Sequence, residues 1–208
     1  MRLVHFGHAC VLIDTGNTRL LIDPGTFSTG FEQVRNVDAV LVTHQHFDHL
    51  DLDRLPAVLA ANPGAQLIAD PGSAEQLGSL ARVAAPGEVI KVGGATVRAV
   101  GGQHAVIHRD IPVIPNTGYV IDDGAFYHPG DALFVPDEDV DVLGLPTGAP
   151  WMRLGEAVDF MREVAPRVAV PIHEAVLARP QAAYAQFENL KPDGTTVKPP
   201  TPGEEMEA

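Results

Sequence analysis

The segment Thr43-His44-Gln45-His46-Phe47-Asp48-His49 places four side chains of metal-binding type within six positions. Exposed polar residues of a loop would be the simplest alternative, but the chain has nine histidines in 208 residues and three of them fall here. Imidazole nitrogen combined with carboxylate oxygen suits zinc, manganese or iron better than magnesium or calcium. The segment therefore predicts a metal site.

The neighbouring sequence places this segment between a strand and a helix. Residues 37–42 are apolar and β-branched, which favours a strand, and apolar residues at helical spacing follow from 51 to 61. Side chains two positions apart on an extended segment face the same side, so His44 and His46 can hold one ion together. The turn into the helix is expected to bring Asp48 and His49 towards a second point.

Three further residues of ligand type each stand just beyond a predicted strand. His104 follows the strand of residues 95–100, Asp131 follows residues 125–127, and His173 follows residues 168–172. A rigid sheet fixes the loops at its strand ends, where binding and catalytic residues concentrate. These three side chains are therefore the candidates that complete the site.

Composition and charge are typical of an acidic globular protein. Hydrophobic residues make up 45% of the chain and charged residues 20%, which allows a buried core and argues against disorder. The net charge of −13 repels phosphate backbones, so nucleic acid is not an expected partner. No segment has the pattern of a secretory signal or the ~18 apolar residues of a membrane span, so a cytoplasmic protein without membrane contact is expected.

The pattern along the chain predicts one mixed α/β domain over residues 1–190. The tail, residues 191–208, is rich in Pro, Gly, Thr and Glu, and we expect it to be partly loose or to form one edge strand. Strands are predicted at 4–15 with a break at Gly7, and at 19–22, 37–42, 66–69, 88–92, 95–100, 117–121, 125–127, 140–145 and 168–172. Helices are predicted at 51–61, 156–164 and 181–190, and at 73–80 with Ser73 as its cap.

The assembled motifs resemble those of the metallo-β-lactamase superfamily, whose His-x-His-x-Asp-His pattern matches residues 44–49. The later histidine, aspartate and histidine match in order. One branch, the small bacterial hydrolases related to ascorbate-phosphate lactonase, is similar at four further stretches. These are Phe6-Gly7-His8-Ala9, Leu21-Ile22-Asp23-Pro24, Tyr127-His128-Pro129-Gly130-Asp131 and Pro171-Ile172-His173.

This resemblance implies a four-layer αββα sandwich with a dinuclear site at one edge. It implies that one ion is held by His44, His46 and His104, and the other by Asp48, His49 and His173, with Asp131 bridging them. Two divalent cations are expected, zinc first, with manganese or iron as alternatives. The implied activity is hydrolysis of a small-molecule ester, lactone or phosphoester by a hydroxide that bridges the ions.

Catalytic roles are expected for Asp48 and His8. Asp48 is placed to orient the attacking hydroxide, and His8, in a turn that the resemblance puts beside the metals, is expected to touch substrate or stabilise an oxyanion. An ordinary loop histidine is the alternative for His8. Asp23 is a candidate brace for a ligating histidine or simply a turn former before Pro24.

Other residues are expected to shape the pocket. Residues 103–116 are predicted to form one wall, with Arg109 either an anion contact or, more simply, solvated surface. Trp151 is either a second wall or a core residue. Phe47 departs from the family pattern, which commonly has a small residue there, and is expected to narrow the mouth or pack under the site. Pro129 is expected to stiffen the turn that presents Asp131.

Three alternative functions remain open from the sequence. A nuclease or phosphodiesterase of the same fold is disfavoured by the acidic charge and by the absence of a basic arm. A metal-binding protein without turnover is disfavoured because all seven predicted ligands are present. Di-iron redox chemistry is the third, and metal analysis would separate it from hydrolysis. The substrate and the oligomeric state cannot be derived from these residues.

Overall fold

Two seven-stranded sheets form the centre of the protein, whose computed structural model describes residues 1–208. The first sheet has the strand order β14-β1-β2-β3-β4-β5-β6 and the second the order β13-β12-β11-β10-β9-β8-β7. The first sheet comprises β1 (Arg2–His5), β2 (Val11–Asp14), β3 (Arg19–Ile22), β4 (Ala39–Val42), β5 (Gln66–Ala69), β6 (Arg82–Val83) and β14 (Glu205–Glu207). The second comprises β7 (Val89–Val92), β8 (Ala95–Gln103), β9 (Pro115–Ile121), β10 (Phe126–His128), β11 (Val142–Pro146), β12 (Val168–Ile172) and β13 (Thr196–Val197).

Each sheet is half antiparallel and half parallel. In the first, the pairs from β14 to β3 are antiparallel and those from β3 to β6 parallel. The second repeats this arrangement, antiparallel from β7 to β10 and parallel from β10 to β13. Parallel strands need crossover connections, and helices supply most of them. The two halves of the chain therefore build the same kind of unit twice.

Four helices cover the outer faces of the sheets. They are α1 (Leu55–Ala61) and α2 (Pro71–Leu77) on the first sheet, and α3 (Leu154–Val164) and α4 (Pro180–Leu190) on the second. Three separate hydrophobic clusters fill the layers: one between the sheets, one under α1 and α2, and one under α3 and α4. The predicted αββα sandwich is therefore confirmed.

Helix α2 begins two residues before its predicted start, because a different residue caps it. The Asp70 carboxylate accepts the backbone N–H groups of Gly72 and Ser73, which satisfies two of the free donors at the helix start. Pro71 then occupies the first helical position, where its missing N–H costs nothing. The predicted cap, Ser73, lies inside the helix with its hydroxyl buried and unpaired.

The C-terminal tail contributes two edge strands, where the sequence predicts at most one. β13 extends the second sheet beside β12, and β14 extends the first sheet beside β1. Met206 of β14 packs with Met1 and Ala208 against the core between the sheets, so burial of apolar surface holds the tail in place. No helix of the protein has the length and apolar character needed to cross a membrane.

Candidate metal centre

The seven predicted ligands meet at one end of the two sheets, in two groups. Within each group the ligand atoms lie within 4.8 Å of one another. The first, called here the His104 group, contains His44, His46, His104 and Asp131. The second, the His173 group, contains Asp48, His49, His173 and also His8.

Strand ends position these side chains. His44 comes after β4, His104 directly after β8, Asp131 after β10 and His173 directly after β12. The sheets fix the strand ends, so residues far apart in sequence arrive at one edge with little freedom. Whether they bind metal ions stays a prediction, but the structure brings all of them together.

Asp131 lies between the two groups and faces both. Its Oδ1 is 3.1 Å from the Nε2 atoms of both His49 and His173. Its Oδ2 is 3.3 Å from Nε2 of His104 and 3.8 Å from Nε2 of His44. One carboxylate oxygen is thus directed to each group, which is the geometry that a bridging ligand requires.

The ring nitrogens that face away from the centre are held by hydrogen-bond acceptors. Each acceptor holds an imidazole through its Nδ1–H and directs Nε2 to the centre, where this nitrogen can bind a cation when it carries no proton. The pairs, from Nδ1 to the acceptor, are His44 to Thr43 Oγ1 (3.1 Å), His49 to Asp23 Oδ2 (2.7 Å), His104 to the Ala105 carbonyl (2.5 Å) and His173 to the Gly148 carbonyl (2.7 Å).

Asp23 is both a turn former and a brace. It follows β3 with a φ of 50° and is fully buried. Its carboxylate accepts the backbone N–H of Thr43 at 2.7 Å and the Thr43 hydroxyl at 2.6 Å, beside the bond from His49. The two readings that the sequence left open are therefore both present, and the side chain fixes the start of the histidine segment.

Among the seven predicted ligands, four buried polar atoms have no hydrogen-bond partner in the protein. They are Nε2 of His49, His104 and His173 and Oδ1 of Asp131. Buried polar groups are nearly always paired, so four unpaired atoms converging on one spot require an explanation. Divalent cations would satisfy all of them, and the nitrogen and oxygen donors are the set that zinc, manganese and iron accept. The residues present therefore fit two cations.

Burial and neighbouring charges shift the pKa values of these side chains, and the direction differs from one residue to another. Burial lowers the pKa of His44 well below its usual range. Burial would also lower the pKa of His49, but the carboxylates of Asp131 and Asp23 raise it well above the ordinary value. Burial would raise the pKa of Asp48, whereas the hydrogen bond with His8 and the charge of His49 lower it to about 2. Asp48 is therefore ionised at every ordinary pH.

Two glycines allow the backbone to pack tightly around the centre. A Cβ built on Gly25 would lie 1.8 Å from the Asp48 carbonyl oxygen, so the loop after β3 presses directly on the histidine segment. Gly130, with a φ of 63°, precedes Asp131, and a Cβ there would lie 2.3 Å from Oδ1 of Asn116. Any side chain at either position would displace a predicted ligand.

His8 contacts Asp48 and is buried. Its ring has no exposed surface, and its Nε2 lies 3.0 Å from Oδ2 of Asp48. The ring of Phe27 covers it edge-on at 5.2 Å between centroids. His8 thus restrains the Asp48 carboxylate, and a direct contact with substrate stays a prediction.

Trp151 borders the centre, which agrees with the first of its two sequence-based interpretations, a pocket wall, but its hydrogen bond to Asp131 was not predicted. Its indole N–H donates to Oδ2 of Asp131 at 2.8 Å. The ring centroid is 6.0 Å from that of His104 and 6.3 Å from that of His173, so the half-buried indole borders both groups. It sits in an irregular segment before α3, where periodicity gives no information about side-chain direction.

The loop of residues 105–114 borders the His104 group, as the sequence predicts for one wall. Arg109 is 87% exposed at its tip and lies 3.8 Å from Asp110, which fits the expectation of solvated surface. Phe47 is 61% exposed and packs edge-on against Phe27, with 5.4 Å between the ring centroids. Phe47 therefore flanks the mouth of the site.

Comparison with known proteins identifies relatives of this chain. The model of the β-lactamase superfamily domain matches residues 2–173. A protein of Mycobacterium tuberculosis is 53% identical over 200 residues, with 94% of each chain covered. A UPF0173 metal-dependent hydrolase of Pyrococcus abyssi is 27% identical over 226 residues, covering 100% of this chain and 99% of the relative.

A solved structure shares both fold and extent. Igni18, a metallo hydrolase of the archaeon Ignicoccus hospitalis, superimposes with a TM-score of 0.77 at 25% sequence identity. The match covers 99% of this chain and 97% of the archaeal one. The shared fold therefore extends over both sheets.

Proposed function

The chain belongs to the β-lactamase superfamily and is a metal-dependent hydrolase of the metallo-β-lactamase fold, and from this premise we propose that it cleaves a small-molecule ester or lactone at a dinuclear site. We assign one cation to His44, His46 and His104 and the other to Asp48, His49 and His173. Asp131 would contribute one carboxylate oxygen to each cation. Zinc is the cation that this donor set favours, with manganese or iron as alternatives.

The observation that carries the proposal is the set of unpaired atoms described above. Nε2 of His49 and Nε2 of His173 are buried and each lies 3.1 Å from Oδ1 of Asp131, yet no hydrogen bond satisfies any of the three atoms. Buried polar atoms of a purely structural cluster are normally hydrogen-bonded. Their common orientation is explained when they are ligands.

The residues of the chain divide the work of hydrolysis. When bound, the cations would supply Lewis acidity and lower the pKa of water towards neutrality. Asp48, ionised and held by His8, is placed to accept a proton from an attacking water and to orient it. Trp151 and the aromatic pair Phe27 and Phe47 restrict access to the centre. His8 keeps the Asp48 carboxylate in one orientation.

An ester or lactone is favoured over a phosphoester by the surroundings of the centre. The cavity beside His46 and His104 is lined by apolar side chains, with no lysine or arginine among them. Phosphate recognition usually relies on arginine, lysine or a helix N-terminus. A nuclease is disfavoured for the same reason and by the net charge of −13.

The test is a hydrolysis screen over esters, lactones, thioesters and phosphodiesters with Zn²⁺, Mn²⁺ and Fe²⁺. For the substrate with the highest rate, Asp48→Ala should lower kcat/KM by roughly 10²–10⁴-fold, the usual contribution of a general base. Asp53→Ala, which removes an exposed carboxylate five positions along, is the matched control and should keep the activity. An activity that survives Asp48→Ala unchanged would refute the assigned role, and a chain that hydrolyses nothing with any cation would refute the function.

A further inference from the structure

A cavity with apolar walls opens beside the His104 group. It has a volume of about 230 Å³ and touches His46 and His104 at its inner end. Drug-sized ligands occupy roughly 300–1,000 Å³, so this cavity can hold one substituent of a small substrate rather than a whole molecule. Its remaining lining is apolar: Ala105, Ile107, Ile111, Pro112, Val113 and Ile114.

The apolar side chains of this loop are exposed, which is costly without an occupant. Val106 is 60% exposed, Ile111 48% and Val113 45%, all within ten residues. Grouped exposed apolar residues in a soluble protein commonly mark a binding surface. Phe27 and Phe47, 42% and 61% exposed, form a second exposed apolar pair, on the side of the His173 group, where Phe27 contacts His8.

The base of the loop is fixed, so the cavity keeps its position relative to the centre. The His104 N–H donates to the Ile114 carbonyl at 3.0 Å and closes the loop. The Ala105 N–H donates to the Asp131 carbonyl at 2.8 Å and ties the loop to the predicted bridging residue. An occupant of the cavity would therefore lie directly beside the reacting bond.

We infer that this cavity binds an uncharged, apolar substituent of the substrate, of the size of a short alkyl or acyl chain, next to the bond that is hydrolysed. This inference rests on the proposed function, since it names the substrate class of the same site. A charged group is disfavoured there because the lining is apolar apart from His46 and His104, which we assign to a cation, and an unpaired charge against apolar walls is costly. The one arginine of the loop, Arg109, projects into solvent from its tip.

The first experiment detects binding without turnover. Methyl NMR spectra of the metal-loaded protein are recorded during titration with hexanamide, an uncharged six-carbon probe, and with adipic acid monoamide, which carries a terminal carboxylate. Hexanamide should shift the methyl signals of Ile111 and Val113, and the monoamide should not. Val89 is the internal control, because it is a valine of equal exposure, 46%, on the edge strand β7.

The second experiment measures substrate preference. Across a series of esters with one leaving group and acyl chains from two to six carbons, kcat/KM should rise about fourfold for each methylene, the fold-change that ~0.8 kcal/mol per buried CH₂ gives. Val113→Asp should flatten this dependence and lower the ratio of hexanoyl to acetyl activity by at least tenfold. Val89→Asp should leave the ratio unchanged.

The outcomes separate this inference from the proposed function. Methyl shifts at Ile111 and Val113 in a protein that hydrolyses no ester would support the cavity and refute the function. Ester hydrolysis without dependence on chain length, together with absent shifts or equal shifts by both probes, would overturn the inference and leave the function standing.

Discussion

The two metal groups differ in how their histidines are held and in what covers them. In the His173 group, His49 is hydrogen-bonded to the buried carboxylate of Asp23, and His8 restrains Asp48. In the His104 group, His104 is held by a main-chain carbonyl, and His46 is only half-buried beside the apolar cavity. A carboxylate partner raises the basicity of a ligating imidazole more than a carbonyl does. Since His173, like His104, is held by a main-chain carbonyl, the difference lies in the Asp23 carboxylate and in the exposure of His46. We infer that the His173 group holds its cation more tightly and that the His104 group is more accessible.

The largest effect is expected where the two groups meet. Asp131→Asn keeps the shape of the side chain but removes its charge, so each group loses an anionic donor. We expect metal content to fall to one ion or fewer per chain and kcat/KM to fall by more than about 100-fold, beyond the 10–100-fold typical of outer partners of metal ligands. Elemental analysis and kinetics measure both. Asp110→Asn, 74% exposed in the neighbouring loop, is the control; retention of both ions in Asp131→Asn would refute the bridging role.

A change at Asp23 should affect the His173 group more than the His104 group. Asp23→Asn weakens the direct hydrogen bond to His49, so the cation of the His173 group should bind about 10–100-fold more weakly. The His104 group is reached only through Thr43, whose hydroxyl donates to Asp23 and accepts from His44, so its cation should lose less affinity. Competition with a chromophoric chelator resolves the two affinities. Asp122→Asn removes a carboxylate that also accepts a backbone N–H, from Thr96, at the opposite end of the sheet, and should change neither. Equal weakening of both cations would contradict the separation of the groups.

A smaller loss of cation affinity is expected in the His104 group. Trp151→Phe removes the indole N–H that donates to Oδ2 of Asp131, the oxygen directed to the His104 group. The cation of that group should bind about tenfold more weakly. Trp151 is the single tryptophan, so its fluorescence in the unmodified chain should change when this group is loaded. Phe47→Leu, which trims an aromatic of the mouth without removing a hydrogen bond, should keep both affinities; an equal loss there would point to general disruption.

The protonation states of His44 and His49 in the metal-free protein test the difference between the two groups without any mutation. The lowered pKa of His44 predicts a neutral ring at pH 7, and the raised pKa of His49 predicts a doubly protonated one. Nitrogen-15 NMR of the imidazoles distinguishes the two forms. A histidine ring nitrogen must lose its proton before it binds a cation. Cation binding to the His173 group at pH 7 should therefore release protons to the buffer. A neutral His49 ring at pH 7 in the metal-free chain would contradict this assignment.

Much of the fold and the convergence of the site could be predicted from strand ends. His104, Asp131 and His173 are candidates because each follows a predicted strand, and the structure places all three at one sheet edge. Alternation and helical spacing predict a mixed α/β domain, whereas the four-layer arrangement came from the resemblance to the metallo-β-lactamase superfamily. The predicted helix of residues 51–61 begins only at Leu55, with Pro56 in its first turn, where proline is tolerated.

The remaining features depend on contacts between distant residues. Trp151 reaches Asp131 across twenty positions, and no local pattern encodes that hydrogen bond. Asp70 caps α2 because it ends β5 at the right angle, which the sequence alone does not distinguish from capping by Ser73. The strand β14 forms because Met206 finds apolar surface between the sheets, a site assembled from the whole chain. The sequence pattern indicates which residues are buried, whereas the folded structure determines which residues contact one another.

The backbone closure of the loop at residues 105–114 has a consequence for how this protein can diversify. The two hydrogen bonds at its base join main-chain atoms only, so they place no demand on the identity of the side chains between them. The ten residues of the loop can therefore be exchanged between relatives without changing the residues that we assign to metal binding and hydrolysis. Transplanting the segment should transfer substrate preference in a single step.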